Sequence, residues 1–235
     1  MPDLPALPIL LLTYKRTTEA LTTLESLFNH LKYPPDLLRF YIADDGSPRQ
    51  HLETIQNFIL SRTTNLIGWH NEKFSAVPYA CGIGWNKGLG LCYQASDFVL
   101  VLEDDWRMDA DLDMVPYIRL LQEREDVGIV SFRILSIGAD VHTVGHDGRI
   151  YLDYQRTTQY AYSGNPHIRH ARYTKYYGWY AEDRSPGEVE LHQDDQYRYR
   201  EGDLRNHNDG PHIWREANLD PWGAWHHTGT EKTWR

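Results

Sequence analysis

"FVLVLEDDW", Phe98 to Trp106, is an apolar run that ends in three consecutive carboxylates, Glu103, Asp104 and Asp105. The run reads as a strand buried on both faces, because a parallel strand inside an α/β sheet shows no face to water. Its end is costly: three like charges repel, and desolvating any of them requires a cation or a donor in compensation. Either the strand finishes in water by chance, or it finishes at a metal ion. Mg2+ and Mn2+ prefer carboxylate oxygens, and one or two protein carboxylates suffice where phosphates complete the shell. In the metal reading Asp105 touches the ion, while Glu103 and Asp104 orient it or contact a ribose or sugar hydroxyl.

The sequence upstream repeats the pattern. "PILLLTYKR" is a buried strand ending in Thr13, Tyr14, Lys15 and Arg16, and "LLRFYIADDGS" is another ending in Asp44, Asp45, Gly46 and Ser47. Between them, Leu21, Leu24, Leu27, Phe28 and Leu31 recur at helical spacing, with Thr17 or Thr18 as N-cap. A helix is expected from about Gln50 to Ser61, a short strand in "TNLIGWHN", a helix in "ADLDMVPYIRLLQERED" and a strand in "VGIVSFRIL". Strand and helix thus alternate over the first ~135 residues, which predicts a mostly parallel central sheet flanked by helices. Ligands of such sheets bind beyond the carboxyl ends of the strands, where all three polar clusters meet. An Asp-Gly turn is common anywhere, so Asp44 and Asp45 gain weight only from that co-location.

Beyond residue 135 the texture changes. "VHTVGHDGRIYLDYQ" reads as a hairpin turning at Asp147-Gly148. Tyr-, His- and Asp-rich segments follow, so the expectation is one domain over 1–235, with a nucleotide half (1–135) and an acceptor half (136–235). At 235 residues and 41% hydrophobic content, the chain is long enough to bury a sizeable core. A net charge of −9 argues against a broad nucleic-acid footprint. The two cysteines make no disulfide framework, and a reducing cytoplasm is the expected compartment. No run reaches membrane-span length, and Asp3 ahead of the first apolar run speaks against a signal peptide, so no membrane insertion is expected.

"GIGWNKGLG", Gly82 to Gly90, offers backbone N–H groups and Lys87 to a phosphate, or is simply a flexible loop before a helix. It is neither a Walker loop nor a dinucleotide fingerprint. The twelve histidines form no zincin-type pair.

The order of strand, "DDGS", "NKG" and "VLEDDW" resembles the GT-A glycosyltransferases, family-2-like enzymes in particular. The acidic triplet is similar to the EDD form of the DXD motif in N-acetylglucosaminyltransferase I-like enzymes. The resemblance covers residues 8 to about 135 well, and the rest in patches. "SGNPHIRH" resembles a segment shaping the acceptor side, and "HHTGTEKTW" an element whose histidine, here His227, completes the metal site. The resemblance implies a GT-A, Rossmann-like nucleotide-diphospho-sugar transferase moving a hexosyl or N-acetylhexosaminyl group. By analogy the donor is a UDP-sugar and the ion Mn2+ or Mg2+. Donor contacts would come from Thr13, Tyr14, Arg16, Asp44, Asp45, Gly46, Lys87, Glu103 and Asp104, and metal contacts from Asp105 and His227.

Direct displacement with inversion needs a carboxylate to take the acceptor's proton. Glu188, Glu190, Asp194 and Asp195 are the candidates. "HQDDQYRYR" resembles the DD helix element of N-acetylglucosaminyltransferase I-like enzymes, which implies Asp195, and "GEVEL" resembles the ED element of family-2 enzymes, which implies Glu188 or Glu190. Otherwise these acids pair with Arg198, Arg200 and Arg205 on a solvated helix. The acceptor is a glycan, protein or small molecule. A hydroxymethylated base in DNA is an alternative, with Arg169, Arg172, Lys175 and Arg184 as its cations. A nucleotidyltransferase and an inactive carbohydrate-binding protein are the rival classes.

Overall fold

The computed structural model describes residues 4–71, 81–133, 140–182, 184–199, 210–217 and 224–229. In chain order the elements begin β1 Leu7–Thr13, α1 Thr17–His30, β2 Leu31–Lys32, β3 Leu38–Asp44, α2 Arg49–Arg62 and β4 Leu66–Asn71. Next come α3 Gly82–Ala95, β5 Phe98–Glu103, β6 Trp106–Met108, β7 Leu112–Asp113, α4 Val115–Glu123 and β8 Val127–Ser131. The last are β9 Val141–His146, β10 Arg149–Tyr154, β11 His167–His170, α5 Ala171–Tyr177, α6 Pro186–Tyr199, β12 His212–Glu216 and β13 Trp225–His227.

Nine of these strands make one sheet in the order β4-β3-β1-β5-β11-β8-β12-β10-β9. The first four run parallel, as does the β8–β12 pair, while β11 is inserted antiparallel between β5 and β8. Alternation along the strands divides the core. Leu7, Ile9 and Leu11 of β1 and Phe98, Leu100 and Leu102 of β5 pack with α1, α2 and α4. Leu10 and Leu12, with Val99 and Val101, face α3, α5 and α6. Each such side chain contributes roughly 1.5–3 kcal/mol by leaving water, which fixes register and therefore the height at which each strand ends. Thr13 stands beside Asp44, and Leu12 beside Glu103.

The hairpin forms as its turn chemistry dictates, with Asp147 at φ 47° and Gly148 at φ 72°. Two local expectations are corrected. Neither threonine caps α1: the N-cap is Arg16 and makes no side-chain cap bond, because Thr17 Oγ1 is engaged by His51 Nδ1 at 2.7 Å. The segment from Gly82 is helical from its first residue rather than a loop before a helix, and Cys81, Gly84 and Trp85 at its start line the cavity described below. Its glycines serve close approach, which outweighs a helix cost of about 1 kcal/mol each. A Cβ at Gly88 would lie 2.5 Å from Leu10 Cδ1, and one at Gly82 would strike the Ala181 carbonyl.

Candidate active site at the carboxyl edge of the sheet

A cavity of about 630 Å³ opens where β1, β3 and β5 end. Thr13, Tyr14, Arg16, Asp44, Asp45, Glu103, Asp104, Asp105, Glu190 and His227 all line it. Sequence positions up to 214 residues apart thus converge on one edge.

The β1–α1 turn is held by its neighbours. Tyr14 N–H donates to Asp104 Oδ2 at 3.1 Å and Lys15 N–H to Ser47 Oγ at 2.9 Å. Lys15 sits at φ 60°, a left-handed conformation that costs a lysine of order 1–2 kcal/mol. The Thr13 hydroxyl donates to Asp104 Oδ2 at 2.8 Å and lies 2.8 Å from His51 Nε2. Burial lowers the His51 pKa; since the Thr13 hydroxyl gives its proton to Asp104, His51 Nε2 is the donor to Thr13, and Nδ1 lies 2.7 Å from the Thr17 hydroxyl.

Asp44 is fully buried, and both its oxygens are used internally: Oδ2 accepts Ser47 N–H at 2.9 Å and Oδ1 accepts the Ser47 hydroxyl. Burial still raises its pKa, against the pull of those bonds. Asp45, half-buried on the cavity wall, is the neighbour left facing the space.

In the triplet, burial and then the Asp105 carboxylate push Asp104 up to about 7. Glu103 is driven well above the carboxylate range, first by burial and then by Asp105, Glu190 and Asp104. Asp105 Oδ2 is engaged by Arg16 Nη1 and lies 3.2 Å from His227 Nε2. Its Oδ1 is buried and has no hydrogen-bond partner among the described residues. A Cβ at Gly229 would collide with the same carboxylate. An orphaned carboxylate oxygen, an adjacent imidazole and a glycine keeping the space clear fit a Mn2+-like ion. Among the described residues no group of three or more His, Cys, Asp or Glu completes a metal shell, so phosphate oxygens and water would supply the rest.

On the opposite wall stands α6, and its four candidate bases have different surroundings. Glu188 reaches back over the start of α6, accepting from Ser185 N–H at 2.9 Å and Ser185 Oγ at 2.7 Å, which lowers its pKa at an exposed site. Glu190 lines the cavity, accepts Gly164 N–H and has its pKa raised by burial. Asp194 is buried and accepts the N–H groups of Tyr160 and Tyr162 at 3.0 and 3.1 Å. Asp195 is exposed and does not line the cavity. The expected helix ion pairs reduce to Asp194–Arg198 at 4.0 Å, with Arg200 and Arg205 outside the described residues.

Other placements differ from the sequence expectations. Lys87 is exposed on α3 and is not part of the cavity lining, and Gly46 lies in the turn after Asp45. Residues 167–170 form a sheet strand, although Ser163 and Gly164 do reach Glu190. Of the basic set offered for DNA, Arg169 is fully buried among tyrosines and Arg172 donates to the carbonyls of Leu121 and Arg124, while Lys175 and Arg184 are exposed. Reasoning from sequence missed His51, His70 and Trp85. Only their neighbours in space mark them, and no local pattern does.

No protein-family model matches the sequence, and no curated protein is significantly similar to it. Solved structures do share the fold. One is the mannosyltransferase PcManGT from Pyrobaculum calidifontis in complex with GDP-Man and Mn2+, with a TM-score of 0.53 at 13% identity over 84% of this chain and 51% of that one. Another is S. aureus TarS 1–349 in complex with UDP-GlcNAc, with a TM-score of 0.63 at 14% identity over 97% of this chain and 60% of that one. The chain spans about half of the first of these structures. Its fold is the GT-A-like α/β fold of glycosyltransferases.

Proposed function

We propose that the protein is a metal-dependent glycosyltransferase that moves a hexosyl or N-acetylhexosaminyl group from a nucleotide diphospho-sugar, by preference a UDP-sugar, to an acceptor hydroxyl with inversion. The observation that carries this reading is the cluster of carboxylates lining one cavity. Asp105, whose buried Oδ1 has no hydrogen-bond partner among the described residues and whose Oδ2 lies 3.2 Å from His227, shares that lining with Asp45, Glu103, Asp104 and Glu190. The same fold holds GDP-Man with Mn2+ in one relative in structure and UDP-GlcNAc in another.

In this reading Glu103-Asp104-Asp105 is the counterpart of the DXD motif, with Asp105 and His227 holding Mn2+ or Mg2+. Such an ion supplies charge compensation for the departing diphosphate. Asp45, rather than the internally satisfied Asp44, accepts hydrogen bonds from the nucleoside. Arg16 stands at the diphosphate. Glu190, its carboxylate made more basic by burial, takes the proton from the acceptor hydroxyl. The whole chain acts as one unit, with residues 1–135 binding the donor and 136–235 the acceptor. No helix among the described residues is long and apolar enough to cross a membrane, and the acceptor is a glycan, a protein or a small molecule.

The test is slow hydrolysis of a panel of nucleotide sugars with Mn2+, Mg2+ or EDTA, reading released nucleotide. Metal-dependent release from one donor, lost in Asp105→Ala, supports the proposal. Failure of Mn2+ and UDP to bind at all sinks it.

A further inference from the structure

Arg16 occupies an unusual position for a donor ligand. Its Nη1 lies on Asp105 Oδ2 and 3.5 Å from Asp104 Oδ1, with the side chain 16% exposed and both carboxylates 6% exposed. The oxygen it holds is the one facing His227 Nε2. The turn that aims it is anchored from three sides, by Tyr14 N–H on Asp104, Lys15 N–H on Ser47 and Asp45 N–H on the Thr13 carbonyl. This geometry sets the guanidinium against both carboxylates.

We infer that Arg16 is a resident counter-cation of the Asp104–Asp105 pair, displaced from Asp105 by a divalent ion and then passed to the donor's diphosphate; this deepens the proposed function and rests on it. Two cations cannot share one buried carboxylate without repulsion, so Arg16 and the ion compete. A diphosphate removes the competition, because a guanidinium fork matches phosphate oxygens better than it matches two separated carboxylates. Metal and nucleotide therefore bind with positive coupling, and Arg16 carries it.

The inference predicts effects of opposite sign from one substitution. In Arg16→Gln, Mn2+ alone binds about tenfold tighter than in the unaltered protein, a change equivalent to about 1.4 kcal/mol. UDP in saturating Mn2+ binds about tenfold weaker. Arg16→Lys keeps the charge and loses the fork, so it matches the unaltered protein for Mn2+ alone and Arg16→Gln for UDP. Free Mn2+ is read by electron paramagnetic resonance and UDP by calorimetry, with no turnover required. If the unaltered protein binds Mn2+ and Arg16→Gln binds it no tighter, Arg16 is not a competitor and the inference fails while the glycosyltransferase reading stands. If neither protein binds Mn2+ even with UDP present, both fail.

Discussion

Glu190 and Asp194 stand four residues apart on α6, yet their carboxylates do different work. Glu190 turns to the cavity and Gly164, while Asp194 is buried and ties down the Tyr160 and Tyr162 N–H groups. One helix thus carries a cavity-lining carboxylate and a loop-holding carboxylate a single turn apart. Glu190→Gln should lower kcat by about 10²–10⁴-fold, the usual weight of a general base, with UDP affinity in Mn2+ little changed. Asp195→Asn should leave kcat unaltered. Steady-state kinetics on the three proteins decides it, and full activity in Glu190→Gln removes Glu190 from the mechanism.

Asp194→Ala should instead act on stability. It strands the buried Tyr162 N–H and the part-buried Tyr160 N–H of one loop, at roughly 1–3 kcal/mol each, so a total loss of about 2–6 kcal/mol is expected in urea unfolding. The same loop carries Gly164 onto Glu190, so some loss of kcat should accompany it. Glu188→Gln, at the exposed start of α6, should leave the urea midpoint and kcat little changed.

The parallel half of the fold was legible because its determinants are local and period-based. Continuous apolar strands ended in polar clusters, and parallel topology alone was enough to bring Thr13, Asp44 and Glu103 to one edge. Individual roles were less legible because they depend on neighbours far along the chain. Asp44 and Asp45 are adjacent, and only the fold shows Ser47 consuming the oxygens of one and leaving the other on the cavity wall. Arg169 counted as surface charge until β11 placed it between β5 and β8, among Tyr173 and Tyr180. The glycines of α3 have the composition of a phosphate loop, yet two of them, Gly88 and Gly82, are required by the closeness of Leu10 and Ala181, which only the fold shows.

That last distinction is testable. Gly82→Ala sets a Cβ against the main chain at Ala181, which cannot swing aside as a side-chain tip can. A destabilisation of about 1–3 kcal/mol is expected, as for overpacking elsewhere. Lys87→Ala should leave UDP affinity in Mn2+ within about twofold, since an exposed lysine away from the lining contributes little to a screened site. A large loss of UDP binding in Lys87→Ala would return Lys87 to the diphosphate.

The carboxylates at the strand ends make the metal-free protein sensitive to pH in an uncommon direction. Asp104 is raised to about 7, Asp44, Glu190 and Asp194 are raised as well, and burial is the first cause in each. A group whose folded pKa exceeds its unfolded value binds protons more tightly in the native state. The stability it contributes is present below the unfolded value, about 4, and is lost as pH rises through the folded one. The melting temperature in EDTA should therefore fall between about pH 5 and pH 8. Mn2+ with UDP binds the ionised site, so it should stabilise most at the upper end and flatten the profile. Calorimetric scans across that range, with EDTA and with Mn2+ and UDP, check both slopes. A melting temperature in EDTA that rises steadily to pH 8 would mean that the strand-end carboxylates are already compensated within the protein, as Arg16 compensates Asp105, and do not need a divalent ion for charge balance.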